Sequence, residues 1–213
     1  MTALWSTYGT MLLRAIGIHI LYVAVSVFFG FVLGLFFGIL LSRVPKASGV
    51  LLPVLSIFQT IPGLVFIGVL FLVTGMRPVT VIIALSIYAM FPILMNTYTG
   101  ILGVDSRYRE AARGCGMSKM QCLMQVELPL AMPTIIAGLR MSAVYTVSWA
   151  VLAAMIGLGG LGDFIYQGTT SNNNTLILLG AIPAAVLAIL IGWLIDTLGR
   201  RLTPRGMKGE RKS

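Results

Sequence analysis

Charged side chains are scarce in this chain of 213 residues. Only 10% of its residues are Asp, Glu, Lys or Arg, whereas 58% are hydrophobic, and its mean hydropathy is +0.97. A soluble domain of this length cannot hide so much apolar surface from water. The composition therefore predicts a membrane protein and excludes a soluble globular domain.

Acidic residues are rarer still, with six in the whole chain. Asp105, Glu110, Glu127 and Asp163 fall between the apolar segments, and Asp196 lies near the end of one. Carriers driven by a proton or sodium gradient usually need a carboxylate inside the membrane. The distribution of acids therefore argues against that class of transporter.

Histidine and cysteine are almost absent, with one His and two Cys. His19 has no partner at metal-ligand spacing, and Cys115 and Cys122 lie in a polar loop where we expect thiols to stay reduced. No Ser-His-Asp or paired-carboxylate constellation accompanies them, and the phosphate-binding pattern GxxxxGK[ST] is missing. We therefore expect no catalytic residue, metal or cofactor in this chain; a partner must bind any ATP and Mg that are used.

Long apolar runs dominate what is present. Five of them exceed the ~20 residues that a helix needs to cross the hydrocarbon core of a bilayer. The predicted spans are 16–41, 50–73, 79–102, 134–157 and 175–198. The sequence therefore predicts an all-α membrane protein with a five-helix bundle, and one transmembrane domain over residues 1–213.

The remaining segments are short, except for a polar loop at 103–133 and a basic tail at 199–213. Residues 4–14 carry aromatic and apolar side chains beside Arg14. That composition favours one short N-terminal interfacial helix before the first span.

Basic residues are distributed unequally between the two ends of the predicted spans. Arg14 and Arg77 lie at one end, with Arg140 left uncounted just inside the fourth span. At the other end lie Arg43, Lys46, Arg107, Arg109, Arg113, Lys119, Arg200, Arg201, Arg205, Lys208, Arg211 and Lys212. Because basic loops stay in the cytoplasm, the sequence predicts an external N-terminus, a cytoplasmic C-terminus and a cytoplasmic 103–133 loop.

Polar and helix-breaking residues interrupt the second predicted span at Gln59, Thr60, Pro62 and Gly63. Proline removes a backbone hydrogen bond and glycine loosens the turn, so we predict a kink or a short unwound stretch. Irregular backbone inside a membrane is tolerated where it faces protein or a water-filled path. Gln59, Thr60 and Pro62 are therefore candidates for a translocation path.

Polar side chains also occur in the third and fourth spans, at Asn96, Ser142 and Thr146. They are further candidates for lining a passage between two copies of the bundle. The alternatives are that they form hydrogen bonds between helices or contact lipid headgroups. The sequence leaves these interpretations open.

Small residues recur at every fourth position in the first and last spans. Such stripes let helices approach closely in lipid, so we predict that they pack against neighbouring helices. The members are Gly30, Gly34 and Gly38, and Gly180, Ala184, Ala188 and Gly192.

The polar loop has the composition of two short helices at an angle. Residues 109–113 and 119–127 favour helix, and Gly116 between them suits a turn with positive φ. We expect Pro129 and Pro133 to stop the second helix before the next span. Glu110 is expected to brace the first helix against a nearby arginine or as a cap.

The same loop carries the most specific pattern in the chain, EAARGCGMSKMQCLMQVELP over residues 110–129. The pattern is E-A-A, three residues, Gly, nine residues, an aliphatic residue, any residue and then Leu-Pro. Its fixed positions are Glu110, Ala111, Ala112, Gly116, Val126, Leu128 and Pro129. In this respect the chain resembles the membrane-spanning permease subunits of ABC importers, which hold their ATPase by this loop.

The resemblance implies the fold of a type I ABC importer permease (MetI-like) in a bacterial plasma membrane. It also implies the partners: a cytoplasmic ABC ATPase dimer, an extracytoplasmic solute-binding protein, a second permease copy or paralogue, and the lipid bilayer. Nucleic acid is not among them. The chain would be a transport subunit rather than an enzyme, with its loop moved by ATP binding and hydrolysis in the partner.

Four further segments, IFQTIPGL, MNTYTGIL, GLGGLGDFIYQG and NTLILLGAIPA, resemble the branch of these permeases that takes up osmoprotectants. That likeness implies quaternary ammonium solutes such as glycine betaine, carnitine and choline. The alternatives are an ABC permease for another small solute, such as methionine or an alkylsulfonate, and, with less support, a secondary carrier.

Overall fold

The computed structural model describes residues 2–152 and 157–202. The helices are α1 (Thr2–Arg43), α2 (Pro45–Phe58), α3 (Gly63–Thr74), α4 (Pro78–Leu102), α5 (Ser106–Gly114), α6 (Lys119–Cys122), α7 (Leu128–Ala150), α8 (Leu161–Thr170) and α9 (Asn174–Leu202). A π-helical turn at Leu123–Glu127 joins α6 to α7. The basic residues at 205, 208, 211 and 212, which the sequence assigns to the cytoplasmic end, lie outside the described residues. Residues 153–156 of the fourth predicted span also lie outside them.

Four helical stretches in the described ranges are long and apolar enough to cross a membrane: Tyr8–Arg43, Pro78–Leu102, Lys119–Ala150 and Asn174–Arg201. The pair α2 and α3 passes the same test only together, and its two helices meet at 93°. The all-α architecture predicted from the sequence is confirmed, with the interrupted second segment where the Pro-Gly pattern indicated it.

The N-terminal helix differs from the prediction. α1 runs without a break for 42 residues, so residues 4–14 are its first part rather than a separate interfacial helix. The physical reason is the absence of proline before Pro45, because nothing in 2–43 removes a backbone hydrogen bond.

Close packing of α1 on α4 organises the bundle. A Cβ atom added at Gly30 would lie 2.6 Å from the Cβ of Ala89, and one added at Gly38 would lie 2.6 Å from the Cβ of Thr97. Only glycine allows the two backbones to approach this closely. The predicted packing role of the Gly30, Gly34 and Gly38 stripe is confirmed. Because its contacts advance along α4 as they advance along α1, from Ala89 to Thr97, the two helices run parallel.

The other long helices alternate in direction. Ser142 of α7 bonds the carbonyl of Ala89, whereas Gly100 lies beside Thr134, so α4 and α7 are antiparallel. Gly192 of α9 approaches Val144, and Gly199 approaches Ile136, so α7 and α9 are antiparallel as well. The C-terminal ends of α1, α4 and α9 therefore meet the start of α7 at one end of the bundle, which carries the 103–127 segment.

Pro129 and Pro133 do not stop the second loop helix, contrary to the prediction. Helical backbone continues from α6 through the π-helical turn into α7. Pro129 is the second residue of α7, which follows the π-helical turn directly. The N–H of Leu128 bonds the carbonyl of Leu123, which is the wider hydrogen-bond spacing of a π-helix. The loop is thus mechanically continuous with a membrane-crossing helix.

Candidate functional site: the polar loop and the broken span

The first loop helix, α5, begins at a side-chain cap. Asp105 Oδ1 accepts a hydrogen bond from the Arg107 backbone N–H at 2.9 Å, and the Arg107 side chain donates to Oδ2. These side-chain bonds hold the pKa of Asp105 below its ordinary value. Of the pattern's residues on this helix, Ala112 faces inward and is buried, whereas Ala111 is exposed.

Glu110 does not brace α5 in the way that the sequence predicted. Its side chain is exposed and makes no hydrogen bond or ion pair with any residue in the described part of the chain. Asp105 provides the cap instead, because it stands directly before the first turn. Glu110 therefore projects from the loop with its charge unmatched within the described residues.

The turn after α5 is built as the sequence predicted. Gly116 has φ +80°, and its N–H donates to the carbonyl of Arg113 at 2.9 Å. Ser118 then starts α6 with a capping box, in which its hydroxyl accepts from the Gln121 N–H and the Gln121 side chain accepts from the Ser118 N–H. The Ser-x-x-Gln spacing is the sequence signal from which this cap can be found.

Glu127 is the buried acid of the loop, and sequence reasoning missed it. Its side chain is only 3% exposed and forms an ion pair with Arg43, which is 40% exposed. Arg43 donates from both guanidinium nitrogens to the two carboxylate oxygens, one of the bonds being 3.3 Å long. The pair ties the last residue of α1 to the π-helical turn. The loop pattern leaves the position of Glu127 unspecified, and its partner lies 84 residues away.

The end of the loop pattern packs on an apolar cluster. Leu128 lies half-buried against a group of buried residues from the ends of α4, the π-helical turn and α7, namely Ile101, Val104, Leu123, Ala131 and Ile135. Val126 and Pro129 are half-buried beside it. One side of the loop is thereby fixed to the bundle, while the face with Glu110 and Gly116 remains exposed.

At the broken span, Gln59 compensates for a proline in another helix. Pro92 has no N–H, so the carbonyl of Tyr88, four residues earlier in α4, lacks its usual donor. Gln59 Nε2 donates to that carbonyl at 3.3 Å, and the Tyr88 hydroxyl donates to the carbonyl of Ile61 at 2.7 Å. Two reciprocal bonds therefore fasten the break to the middle of α4.

The other path candidates fall into two groups. Thr60 and Pro62 are exposed at the break, where the Thr60 hydroxyl bonds the carbonyl of Ile57. Ser142 and Thr146 are fully buried. The Ser142 hydroxyl donates to the carbonyl of Ala89, and the Thr146 hydroxyl donates to the carbonyl of Ser142. In this chain these two side chains have the geometry of the alternative that the sequence left open, hydrogen bonding within and between helices.

Asn96 also takes part in helix packing. Its side-chain amide donates to the carbonyl of Pro92 at 2.8 Å, and Gly138 of α7 packs directly on its Cβ atom. A Cβ atom added at Gly138 would lie 2.5 Å from that atom. Asn96 is half-buried, so part of its side chain remains accessible.

Cavities open on the described surface at the break and at the far end of the bundle. One, of about 250 Å³, lies beside the break and is lined by Leu55, Phe58, Gln59, Phe66, Ile87, Tyr88, Met90 and Phe91. The other, of about 420 Å³, lies at the opposite end of the bundle from the polar loop, between α1 and α8, and includes Arg14 and Asp163. Positive φ angles at Gly157, Gly159 and Gly160 form the tight turn beside it. Partial burial raises the pKa of Asp163.

Known proteins match the chain over most of its length. Glycine betaine/carnitine/choline transport system permease protein OpuCB of Bacillus subtilis (strain 168) is 38% identical over 203 residues, which are 95% of this chain and 94% of that protein. Carnitine transport permease protein OpuCB of Listeria monocytogenes is 43% identical over 175 residues, 82% of this chain and 80% of that one.

A solved structure has the same fold. The inward-facing MetNI methionine ABC transporter superposes with a TM-score of 0.81 at 26% identity, covering 91% of this chain and 96% of the compared one. The two OpuCB relatives are named as transport permease proteins, and the chain is accordingly a multi-pass membrane permease rather than an enzyme. With residues 30–207 matching the family described as binding-protein-dependent transport system inner membrane component, the chain belongs to that family of ABC importer permeases.

Proposed function

We propose that the chain is the permease of an ATP-driven importer of osmoprotectants, the quaternary ammonium compounds glycine betaine, carnitine and choline. The observation that carries this proposal is the identity of 38–43% to permeases named for these solutes. The resemblance of four separate segments of the chain, including the break and the outer loop, agrees with it.

The polar loop supports coupling to a separate ATPase. Its exposed face carries Glu110, which has no partner within the described residues, and the turn at Gly116. The ATPase would hold this face, while the buried face stays on the bundle. Because α6, the π-helical turn and α7 are one continuous helix, movement of the loop would be transmitted directly to a membrane-crossing segment.

The exposed break supports a pair of permeases. Thr60 and Pro62 are exposed in irregular backbone, which lipid does not tolerate at membrane depth. A second permease, identical or paralogous, would cover this surface and enclose a translocation path between the two chains. Gln59, Thr60 and Pro62 would then lie at the edge of that path. The partly accessible Asn96 stays a candidate for lining it, and Ser142 and Thr146 would support the helices behind it.

The basic residues support the predicted orientation. The polar loop and the C-terminal ends of α1, α4 and α9 lie at one end of the bundle, which the positive-inside rule assigns to the cytoplasm. A solute-binding protein would then deliver solute at the opposite end, where Arg14 and the tight glycine turn lie.

Affinity purification of the tagged chain from native membranes in mild detergent tests the coupling proposal. We expect a P-loop ATPase to co-purify, and we expect Glu110→Ala combined with Gly116→Ala to remove it while the permease still inserts. Recovery of the unmodified chain without an ATPase would contradict the proposal, and a co-purifying second permease would identify the pair.

A competition experiment tests the solute class. Uptake of labelled glycine betaine by cells that depend on this importer should be inhibited by unlabelled choline or carnitine and not by methionine or an alkylsulfonate. Inhibition by methionine alone would assign the permease to another solute.

A further inference from the structure

The cavity beside the break is lined in large part by aromatic side chains. Four of its eight lining residues are aromatic and come from three helices: Phe58 ends α2, Phe66 lies in α3, and Tyr88 and Phe91 lie near the midpoint of the 25-residue α4. Within the described chain, no lysine, arginine or acid lines it. Aromatic rings carry negative electrostatic potential on their π faces, and no basic side chain of that lining offsets the potential.

Two of the four rings, Phe66 and Tyr88, are held in place by their neighbours. The Phe66 and Tyr88 rings meet edge to face with centroids 5.4 Å apart, and the Trp149 ring also packs edge to face on Tyr88, with centroids 4.4 Å apart. The Tyr88 hydroxyl is committed to the carbonyl of Ile61. The Phe66–Tyr88 part of the aromatic wall is therefore preorganised, so a ligand would not have to order these two rings on binding.

Gln59 adds a polar contribution to the same cavity. Its amide nitrogen donates to the carbonyl of Tyr88, which leaves the amide oxygen without a hydrogen bond to any described residue. That oxygen is the negative end of a fixed dipole at the rim of the aromatic wall. A cation that is weakly hydrated and cannot donate hydrogen bonds suits such a lining better than an ammonium group, which would lose its water without replacement.

We infer that this cavity is a transient binding site for the quaternary ammonium group of the transported solute, held against the Phe58, Phe66, Tyr88 and Phe91 rings. The choice of cation rests on the proposed function, whereas the site itself rests on the aromatic lining. A volume of about 250 Å³ suits a small solute, and its partly open form suits a station that must release its ligand. The site would make the permease contribute to selectivity in addition to the binding protein.

The direct test is choline binding to the purified permease–ATPase complex in lipid nanodiscs, without the binding protein. We expect saturable binding of radiolabelled choline. The uncharged isostere 3,3-dimethyl-1-butanol should compete at least about tenfold more weakly, because it fills the same volume without a charge. Equal competition by choline and the isostere would overturn the inference, since it would identify a merely apolar cavity that lipid or detergent can fill.

Ring replacements provide the second measurement. Phe58→Leu, Phe66→Leu and Phe91→Leu should each weaken choline binding roughly 5- to 30-fold, while retaining apolar volume. Phe36→Leu is the matched control, because Phe36 is an exposed phenylalanine of α1 that does not line the cavity. Unchanged choline affinity in all three cavity variants would overturn the inference, as would an absence of saturable binding to the unmodified complex.

The two proposals fail separately. Active glycine betaine uptake with no ring-dependent choline binding would overturn the cavity site and leave the proposed function intact. Ring-dependent choline binding in an importer that does not take up quaternary ammonium solutes would support the cation site and contradict the proposed solute class. The isostere comparison uses the unmodified protein, so it remains decisive if a variant fails to fold.

Discussion

Arg43, the last residue of α1, forms a bidentate ion pair with Glu127 in the π-helical turn that leads into α7. The carboxylate is 3% exposed and is held by a guanidinium group that still contacts solvent. This pair connects the polar loop to the helix that packs most closely on α4. Movement of the loop would therefore act on α1 as well as on α7.

Removing one partner of this pair should destabilise the protein strongly. Arg43→Ala leaves a buried carboxylate without its counter-charge, and we expect a cost of about 3 kcal/mol, at the lower end for buried pairs because Arg43 is partly exposed. The measurement is thermal melting of the purified permease complex. Arg107→Ala is the control, because the Arg107 side chain is 86% exposed and its solvent-screened pair with Asp105 should contribute little to stability.

The Arg43–Glu127 pair can be distinguished from general packing by a double replacement. Arg43→Met with Glu127→Leu removes both charges and should recover most of the melting temperature lost in Arg43→Ala. A double variant that melts as low as Arg43→Ala would contradict the assignment of that loss to the unpaired Glu127 carboxylate.

Gly116→Ala should weaken coupling through backbone strain alone. A Cβ atom at this position meets nothing within 4 Å, but φ is +80°, so an L-residue costs about 1–2 kcal/mol there. We expect lower solute-stimulated ATPase activity and partial retention in Gly116→Asn, since asparagine tolerates this conformation better. Gly114→Ala is the matched control: it has open space and no positive φ, and should be neutral.

The hydrogen bond from Gln59 to Tyr88 predicts a specific rescue. Gln59→Leu leaves the Tyr88 carbonyl without a donor and should cost about 1–3 kcal/mol in thermal stability. Pro92→Ala supplies the backbone N–H that α4 lacks, so Gln59→Leu should cost much less in that background. Equal costs of Gln59→Leu with Pro92 and with Ala at position 92 would contradict the compensation.

The contact between α1 and α4 predicts a position where even a methyl group is not tolerated. A Cβ atom at Gly34 would lie 2.7 Å from the Met90 carbonyl oxygen, which is backbone and cannot rotate away. Gly34→Ala should lower the melting temperature and the yield of assembled complex. Gly17→Ala in the same helix is the control, because its added Cβ atom meets nothing within 4 Å.

Local rules predicted the local features of this fold. The break at Gln59–Gly63 and the positive φ at Gly116 follow from residue types whose backbone limits act within a turn. The same rules misplaced the end of the loop helix at Pro129, because the π-helical turn rearranges the hydrogen bonds before it. The partner of Glu127 depends on tertiary contact over 84 residues, and no periodicity or spacing carries that information.

ATP-driven import is tested by uptake of labelled glycine betaine into proteoliposomes that contain this permease and its ATPase, with the solute-binding protein outside and ATP inside. We expect accumulation that requires both ATP and the binding protein, and that is lost in Glu110→Ala combined with Gly116→Ala. Uptake that proceeds without ATP, or that is indifferent to the loop replacements, would instead assign the chain to a transporter of another class.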